Sequence, residues 1–277
     1  MSNLGKTSRK VNKPRVVIAG LGLIGGSFYK ASIASEYDTT GLHHNDSTEP
    51  LKIADIILVC MPPNAIVPWI KAHSSDFKKG SVVVDICGTK RSIMRDMARV
   101  RKDGWYFVGG HPMAGREVSG FENSLADLFQ GASMLLVPEK NVNDKILSIL
   151  KRYFKSVGFS MVVVTTARKH DEMIAFTSQL CHVIATSYSR DKRVQDAIGF
   201  SAGSYANMTR IATQNADDWS NLYLANKDML VKILDGFISR MSQMRDAVKR
   251  GDCEALKAMI VEGTKAKTRE LESRRTR

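Results

Sequence analysis

The segment Gly109-Gly110-His111-Pro112-Met113-Ala114-Gly115 sets an imidazole among small residues directly after the apolar run Trp105-Tyr106-Phe107-Val108. An imidazole titrates near neutrality, and an open α/β sheet binds its ligands outside the carboxyl ends of its strands. His111 is therefore the first candidate for a catalytic base, the alternative being a turn whose histidine bonds only to backbone. A second pattern, Gly20-Leu21-Gly22-Leu23-Ile24-Gly25, follows the run Val16-Val17-Ile18-Ala19 and opens a helix expected to begin near Ser27. In that setting the first glycine permits a tight turn, the second lets backbone approach a pyrophosphate, and the third allows close helix-to-strand packing. Phosphate would then rest on free N–H groups at the helix N-terminus. The pattern predicts a bound dinucleotide. Where an acid would hold the ribose hydroxyls of NAD, the chain reads Leu42-His43-His44-Asn45-Asp46. His43 can tolerate a 2′-phosphate and Asp46 can reach the ribose, so NAD is expected and NADP stays open.

These groups need a scaffold. From Arg15 to about Thr166, β-rich runs at residues 16–19, 39–42, 56–60, 82–85, 106–108, 134–137 and 161–164 alternate with helical patterns. That alternation predicts a parallel sheet covered by helices, an α/β nucleotide-binding domain of Rossmann-like type. Asp144 to Val157 reads as a crossover helix. The stretch between Leu42 and Ile56 is at or below the ~10–12 residues that a parallel crossover needs. It predicts either a stripped-down adenine pocket or a segment missing from the chain. After Thr166 no β-branched run follows. Met173, Phe176, Leu180, Val183, Ile184 and Tyr188 are expected to form one helical stripe. A helix capped by Asp217-Asp218 is expected to run to Gly251; at ~30 residues it would be about 45 Å long, and should pack on a second copy of the chain. The expected division is a basic flexible tail over 1–14, a dinucleotide-binding domain over 15–166, and an all-α domain over 167–277.

The formal charge of +13 sits largely at the ends, +5 in residues 1–15 and +4 in residues 263–277. Solvated tails explain such runs, so no nucleic-acid partner is expected, while the remaining positive charge suits an anionic small substrate. Cys60, Cys87, Cys181 and Cys253 lie far apart without metal-ligand spacing, so neither a metal nor a disulfide is expected and a reducing cytoplasm fits. Neither an export signal nor a stretch approaching the ~18 apolar residues of a membrane span is seen.

Taken together, several segments resemble the prephenate/arogenate dehydrogenase family. They are Gly20 to Ser27, Ile53-Ala54-Asp55 with Val59-Cys60-Met61-Pro62-Pro63, Asp85-Ile86-Cys87-Gly88-Thr89-Lys90, Gly109 to Gly115, Lys169-His170-Asp171 through His182, and Met208-Thr209-Arg210-Ile211-Ala212 followed by Trp219. The resemblance implies a nucleotide-binding domain, a helical C-terminal domain that forms a homodimer, and a site in the cleft between them. It implies oxidative decarboxylation: hydride passes from a ring carbon to the nicotinamide, carbon dioxide departs and the ring becomes aromatic. His111 would accept the hydrogen bond of the ring hydroxyl. Arg210 matches the family's substrate-binding arginine, whose fork suits a carboxylate. Gln179 and His182 lie three apart and can both face the cleft, and Trp219 matches a tryptophan that the family places near the site in the partner's helices. Thr89 is a further substrate-side candidate; Cys60, Met61, Pro62 and Gly88 fall on the cofactor side. Gly88 stands where many members carry a serine that assists the histidine, Gln179 where others carry histidine, and Ala206 at a position often basic. No appended regulatory domain is expected. Prephenate is the leading substrate and arogenate the rival, with a cofactor-binding protein that has lost turnover as the reading outside enzymes.

Overall fold

Val16-Val17-Ile18-Ala19 forms the second strand from the edge of a seven-stranded sheet in the order β2-β1-β3-β4-β5-β6-β7. The structure is a computed structural model that describes residues 13–100 and 104–275. Its strands are β1 (Val16–Ala19), β2 (Thr39–Leu42), β3 (Ile56–Val59), β4 (Val82–Ile86), β5 (Tyr106–Pro112), β6 (Ser133–Pro138) and β7 (Met161–Val164). All neighbours pair parallel except β5 and β6, which are antiparallel. The expected all-parallel sheet is thus mostly parallel.

Successive residues of a strand face opposite sides, and both sides here are apolar. Val16, Ile18, Ile56, Leu58, Val84 and Val108 face helices α1 (Leu23–Ala34) and α4 (Asp144–Ser156), with Phe28, Tyr153 and Phe154 filling the layer between. Val17, Ile57, Val59, Val83 and Phe107 face α2 (Pro63–His73) and α3 (Arg91–Val100) through Ile66, Ile70, Ile93 and Met97. Strands buried on both faces explain the near-continuous β-branched runs.

Helix α1 starts at Leu23, four residues before the expected start, which puts Gly22 itself at its cap. The short link between β2 and β3 contains one 3-10 turn, Glu49–Lys52, which sinks Leu51 completely. Because β2 and β3 flank β1 on opposite sides, the strand order reverses there, and the crevice at the carboxyl ends of β1 and β3 is where such sheets bind ligands.

Beyond Val164 the described residues hold no further strand. Helices α5 (Ala167–Ile174) and α6 (Leu180–Ser189) are joined by a π-helical turn, Ala175–Gln179. That turn shifts the helical phase, so Met173, Phe176 and Tyr188 of the expected stripe are exposed while Ala175, Gln179 and Ala185 are buried. Next come α7 (Gly203–Thr209) and α8 (Ala216–Ala225). The cap of α8 is Asn215, which accepts from Asp218 N, rather than Asp217-Asp218. The single long helix expected through to Gly251 is broken at Asn226, whose side chain is drawn into buried hydrogen bonds.

One compact unit ends at Asn226, and a second begins at Lys227. The second comprises α9 (Lys227–Arg250) and α10 (Cys253–Arg275). Residues 263–275, expected as a solvated tail, belong to α10, where Glu270 pairs with Lys267 and Arg274 at helical spacing. Of the expected basic N-terminal tail, Lys6, Arg9 and Lys10 lie outside the described residues; Lys13 bonds Ser35 O at 2.8 Å.

Candidate active site

The glycine turn is set by contacts that exclude any side chain. Gly20 has φ +93°, and a Cβ there would stand 2.4 Å from Cys60 O; a Cβ on Gly25 would stand 1.8 Å from Gly20 O. Gly22 differs, since a Cβ there would meet nothing within 4 Å, and no side chain caps α1 at that end. A bare backbone corner in front of an uncapped helix N-terminus, at the switch point of the sheet, fits the pyrophosphate of a dinucleotide. Leu21 packs over Gly41 of β2, Ile24 turns into the core, and Leu23 O accepts from Ser27 Oγ. Across the crevice, Cys60 is tied by its N–H to Ala19 O at 2.8 Å, and Met61 and Pro62 lead into α2. Burial, with Asp85 nearby, pushes the Cys60 thiol far up, so it serves packing and not nucleophilic chemistry. His43 is exposed at the head of a turn closed by its N–H on Asp46 Oδ2 at 2.7 Å.

Beyond this turn lies a cavity of about 880 Å³. His111 and Gly88 form its floor; His182, Gln179 and Trp219 stand on the helical side, and Glu117 on the loop opposite. His111 belongs to β5 itself, opposite Leu135 of β6, and not to a loop after it. Its flanking glycine has a packing reason: a Cβ on Gly109 would lie 2.8 Å from Lys90 Cδ, where a fully buried Lys90 passes beneath the strand to pair with the equally buried Asp85.

His111 Nδ1 is 2.9 Å from His170 Nε2, and His170 Nδ1 is 2.7 Å from Asp171 Oδ1. The Asp171 carboxylate also accepts from the backbone N–H groups of Lys90 (2.8 Å) and Arg91 (2.9 Å) and from Arg91 Nε (3.2 Å). Burial works to raise that carboxyl; the hydrogen bonds from His170, Arg91 and Lys90 outweigh it and hold it below the usual carboxylate range. Burial, then the neighbouring His170 and Lys90, push the His111 imidazole well below 6.5. Burial also lowers His170, against the pull of Asp171. Both shifts favour the neutral rings.

His182 Nδ1 donates to Ile211 O at 3.1 Å, and its ring lies against Trp219 of the same chain, tilted by 35° with the ring centres 3.7 Å apart. Gln179 lines the cavity yet spends its amide on the interior, donating from Nε2 to Leu222 O and accepting at Oε1 from Asn226. Thr89 is fully buried against Cys87 Sγ and does not reach the cavity, so a hydroxyl helper at that position is ruled out by packing. Arg210 stands outside the lining and donates to Glu117 Oε1, because the acid on the facing loop claims its guanidinium. Sequence reasoning missed Glu117 and Arg116, which line the cavity, and the His170-Asp171 pair, although Lys169-His170-Asp171 is one of the segments that carry the resemblance.

Residues 25–163 match the family described as prephenate dehydrogenase, nucleotide-binding domain, and residues 166–262 match prephenate dehydrogenase, dimerization domain. The chain belongs to the prephenate dehydrogenase family. Among relatives, cyclohexadienyl dehydrogenase of Zymomonas mobilis is 28% identical over 91% of this chain and 94% of its own. Prephenate dehydrogenase of Bacillus subtilis is 26% identical over 88% and 72%. A crystal structure of prephenate dehydrogenase from Aquifex aeolicus, in complex with hydroxyphenyl propionate and NAD+, superposes with a TM-score of 0.79 at 25% identity and covers 95% of this chain and 100% of that one. Arogenate dehydrogenase of Synechocystis shares the fold, with a TM-score of 0.79 at 19% identity over 92% and 99%. The family's first matched segment begins at Gly25, the last glycine of the turn.

Proposed function

We propose that this chain is an NAD-dependent dehydrogenase that oxidatively decarboxylates prephenate to 4-hydroxyphenylpyruvate in tyrosine biosynthesis. The observation that carries the reading is His111, a neutral imidazole on the floor of a cavity beside a dinucleotide turn, in a chain of this family. Gly20, Gly22 and Gly25 with the first turn of α1 would hold the dinucleotide, whose nicotinamide supplies the hydride acceptor when bound. His111 accepts the hydrogen bond of the ring hydroxyl and takes its proton as the ring carbon is oxidised. The substrate's carboxylate leaves as carbon dioxide, its bonding pair completes the aromatic ring, and His111 returns the proton to the phenolic oxygen. Arg116 at the wall and Arg210 at the rim supply cations for a dicarboxylate. Thr89 and Gln179 are buried too fully to share in this, whereas His182 and Trp219 form the wall against which the ring would lie.

Arogenate, which bears an amine in place of the keto group, is the second reading, favoured by the carboxylates of Glu117 and Asp218 that also line the cavity. Family membership over residues 166–262 supports a homodimer through the helical region, and the division at 166/167 is retained as the functional one. Among the described residues no helix is long and apolar enough to cross a membrane. From the biosynthetic role proposed here we place the enzyme in the cytoplasm, with a small-molecule substrate and no nucleic-acid partner.

The test is an assay of purified protein with prephenate or arogenate and NAD or NADP, following reduced cofactor by absorbance. Turnover with prephenate and NAD is expected, and His111→Asn should lower it by about 10²-fold or more while cofactor affinity holds. Cofactor binding without turnover in any combination would reduce the protein to a dinucleotide binder.

A further inference from the structure

Resting on that reading of the site, we propose that His170 and Asp171 are positioning residues that lock the tautomer of His111, committing its lone pair to Nε2 on the cavity side. An ionised carboxylate only accepts, so the proton between Asp171 Oδ1 and His170 sits on His170 Nδ1. A neutral His170 then has only a lone pair at Nε2, and the 2.9 Å contact to His111 requires the proton on His111 Nδ1. His111 Nε2 is left as the acceptor. It faces the cavity: the Cβ position of Gly88, which lines the same floor, is 4.0 Å from it. The polarity of this chain is set at its far end, where Asp171 is pinned by two backbone N–H groups and by Arg91. A side-chain hydroxyl at position 88, which the resemblance assigns to orienting the histidine, is absent here. The His170-Asp171 pair performs that orientation from the opposite ring nitrogen.

Behind His111 the relay is closed to solvent, with His170 only 1% exposed and Asp171 0%. A closed relay suits the proposed reaction, which releases no net proton. Substrate dianion and oxidised cofactor give a product monoanion, carbon dioxide and reduced cofactor. The ring O–H bond breaks toward Nε2, hydride leaves the carbon, the carbon–carboxylate bond breaks, and the same proton returns to the phenolate oxygen. While His111 holds two protons, its Nδ1–H can lean toward His170, whose added charge faces Asp171.

The deciding measurement is the ¹⁵N spectrum of the histidine rings in the unmodified full-length protein at neutral pH, with His111 and His170 identified by the signals lost in His111→Asn and His170→Gln. Both rings are expected neutral and protonated at Nδ1; His111 protonated at Nε2 would overturn the proposal. Kinetics give a second readout. His170→Phe should lower kcat by about 10²-fold with KM little changed, and His170→Gln, whose amide can both donate to Asp171 and accept from His111, should recover at least roughly tenfold of that loss. Full activity in His170→Phe, or a loss confined to KM, would also overturn it. If the phenylalanine variant does not fold, the ring spectrum of the unmodified protein still decides. If the unmodified protein oxidises neither substrate, the proposed function fails while the tautomers remain measurable.

Discussion

Arg210 Nη1 donates to Glu117 Oε1 at 2.7 Å, and of the two residues only Glu117 lines the cavity. The guanidinium that would grip a substrate carboxylate is thus already paired at the rim. Both side chains are well exposed, 67% and 45%, so the pair is worth on the order of 1 kcal/mol at most. A dianionic substrate must displace that acid or share the cation with it. Glu117→Gln should therefore lower KM for the dicarboxylate by up to roughly fivefold, and Arg210→Gln should raise it. The double variant should behave as Arg210→Gln alone. Steady-state kinetics at two ionic strengths checks this, because the Glu117→Gln gain should shrink with salt. A rise in KM in Glu117→Gln would mean that the carboxylate contacts substrate directly.

The glycine turn separates folding from binding. A methyl on Gly25 would collide with the backbone oxygen of Gly20 at 1.8 Å, whereas one on Gly22 meets no protein atom within 4 Å. Gly25→Ala should lower the unfolding temperature and abolish dinucleotide binding together. Gly22→Ala should keep the unfolding temperature and weaken the dinucleotide roughly tenfold, about 1.4 kcal/mol. Thermal unfolding paired with a cofactor titration distinguishes them. Unchanged affinity in Gly22→Ala would place the pyrophosphate elsewhere.

The sheet was legible in the sequence because strands buried on both faces must be written in β-branched residues, as Ile56-Ile57-Leu58-Val59 and Val82-Val83-Val84 are. His111 stood out for a local reason, its glycine neighbours. The break at Asn226 and the π-helical turn at Ala175–Gln179 were not legible, since both answer to partners distant in sequence: Asn226 bonds Asp171 and Gln179, 55 and 47 residues away. The orienting role of His170 was hidden likewise. It depends on a contact across 59 residues and on which nitrogen carries the proton, neither of which residue spacing encodes.

Stability should fall on mild acidification. Burial is the leading cause that depresses His111, His170 and His182 below the ordinary 6.5, so the unfolded chain takes up protons that the folded one refuses. The stability tied to these rings is fully present above 6.5 and is lost as pH falls through their folded values. Asp171, depressed as a carboxylate, loses its contribution only far lower, below 3.8. The urea midpoint should therefore drop between about pH 7.5 and about pH 5.5, and His182→Gln should flatten part of that slope. An unchanged midpoint across the interval would contradict the burial of neutral rings.

Gln179 tests whether a residue that lines a cavity also binds what enters it. Its Nε2 donates to Leu222 O at 3.1 Å and its Oε1 accepts from Asn226 Nδ2 at 2.8 Å; the same Nδ2 donates to Asp171 O at 2.9 Å, and Asn226 Oδ1 accepts from Arg91 Nη2 at 3.1 Å. Asn226 is 0% exposed, so water cannot replace a lost partner without rearrangement. Asn226→Ala strips a partner from Gln179 and from the Asp171 carbonyl, at about 1–3 kcal/mol for each group left unpaired, and it loosens the strut that holds the end of α8 beside the relay. Gln179→Ala strips Leu222 O and Asn226 in the same way. Both variants should lower the denaturation midpoint, with KM moving less than stability does. A substrate-binding amide would show the reverse pattern. If Gln179→Ala raised KM by more than about tenfold at an unchanged midpoint, the amide would be serving the ligand, and its bonds to Leu222 and Asn226 would carry no weight in holding the helices together.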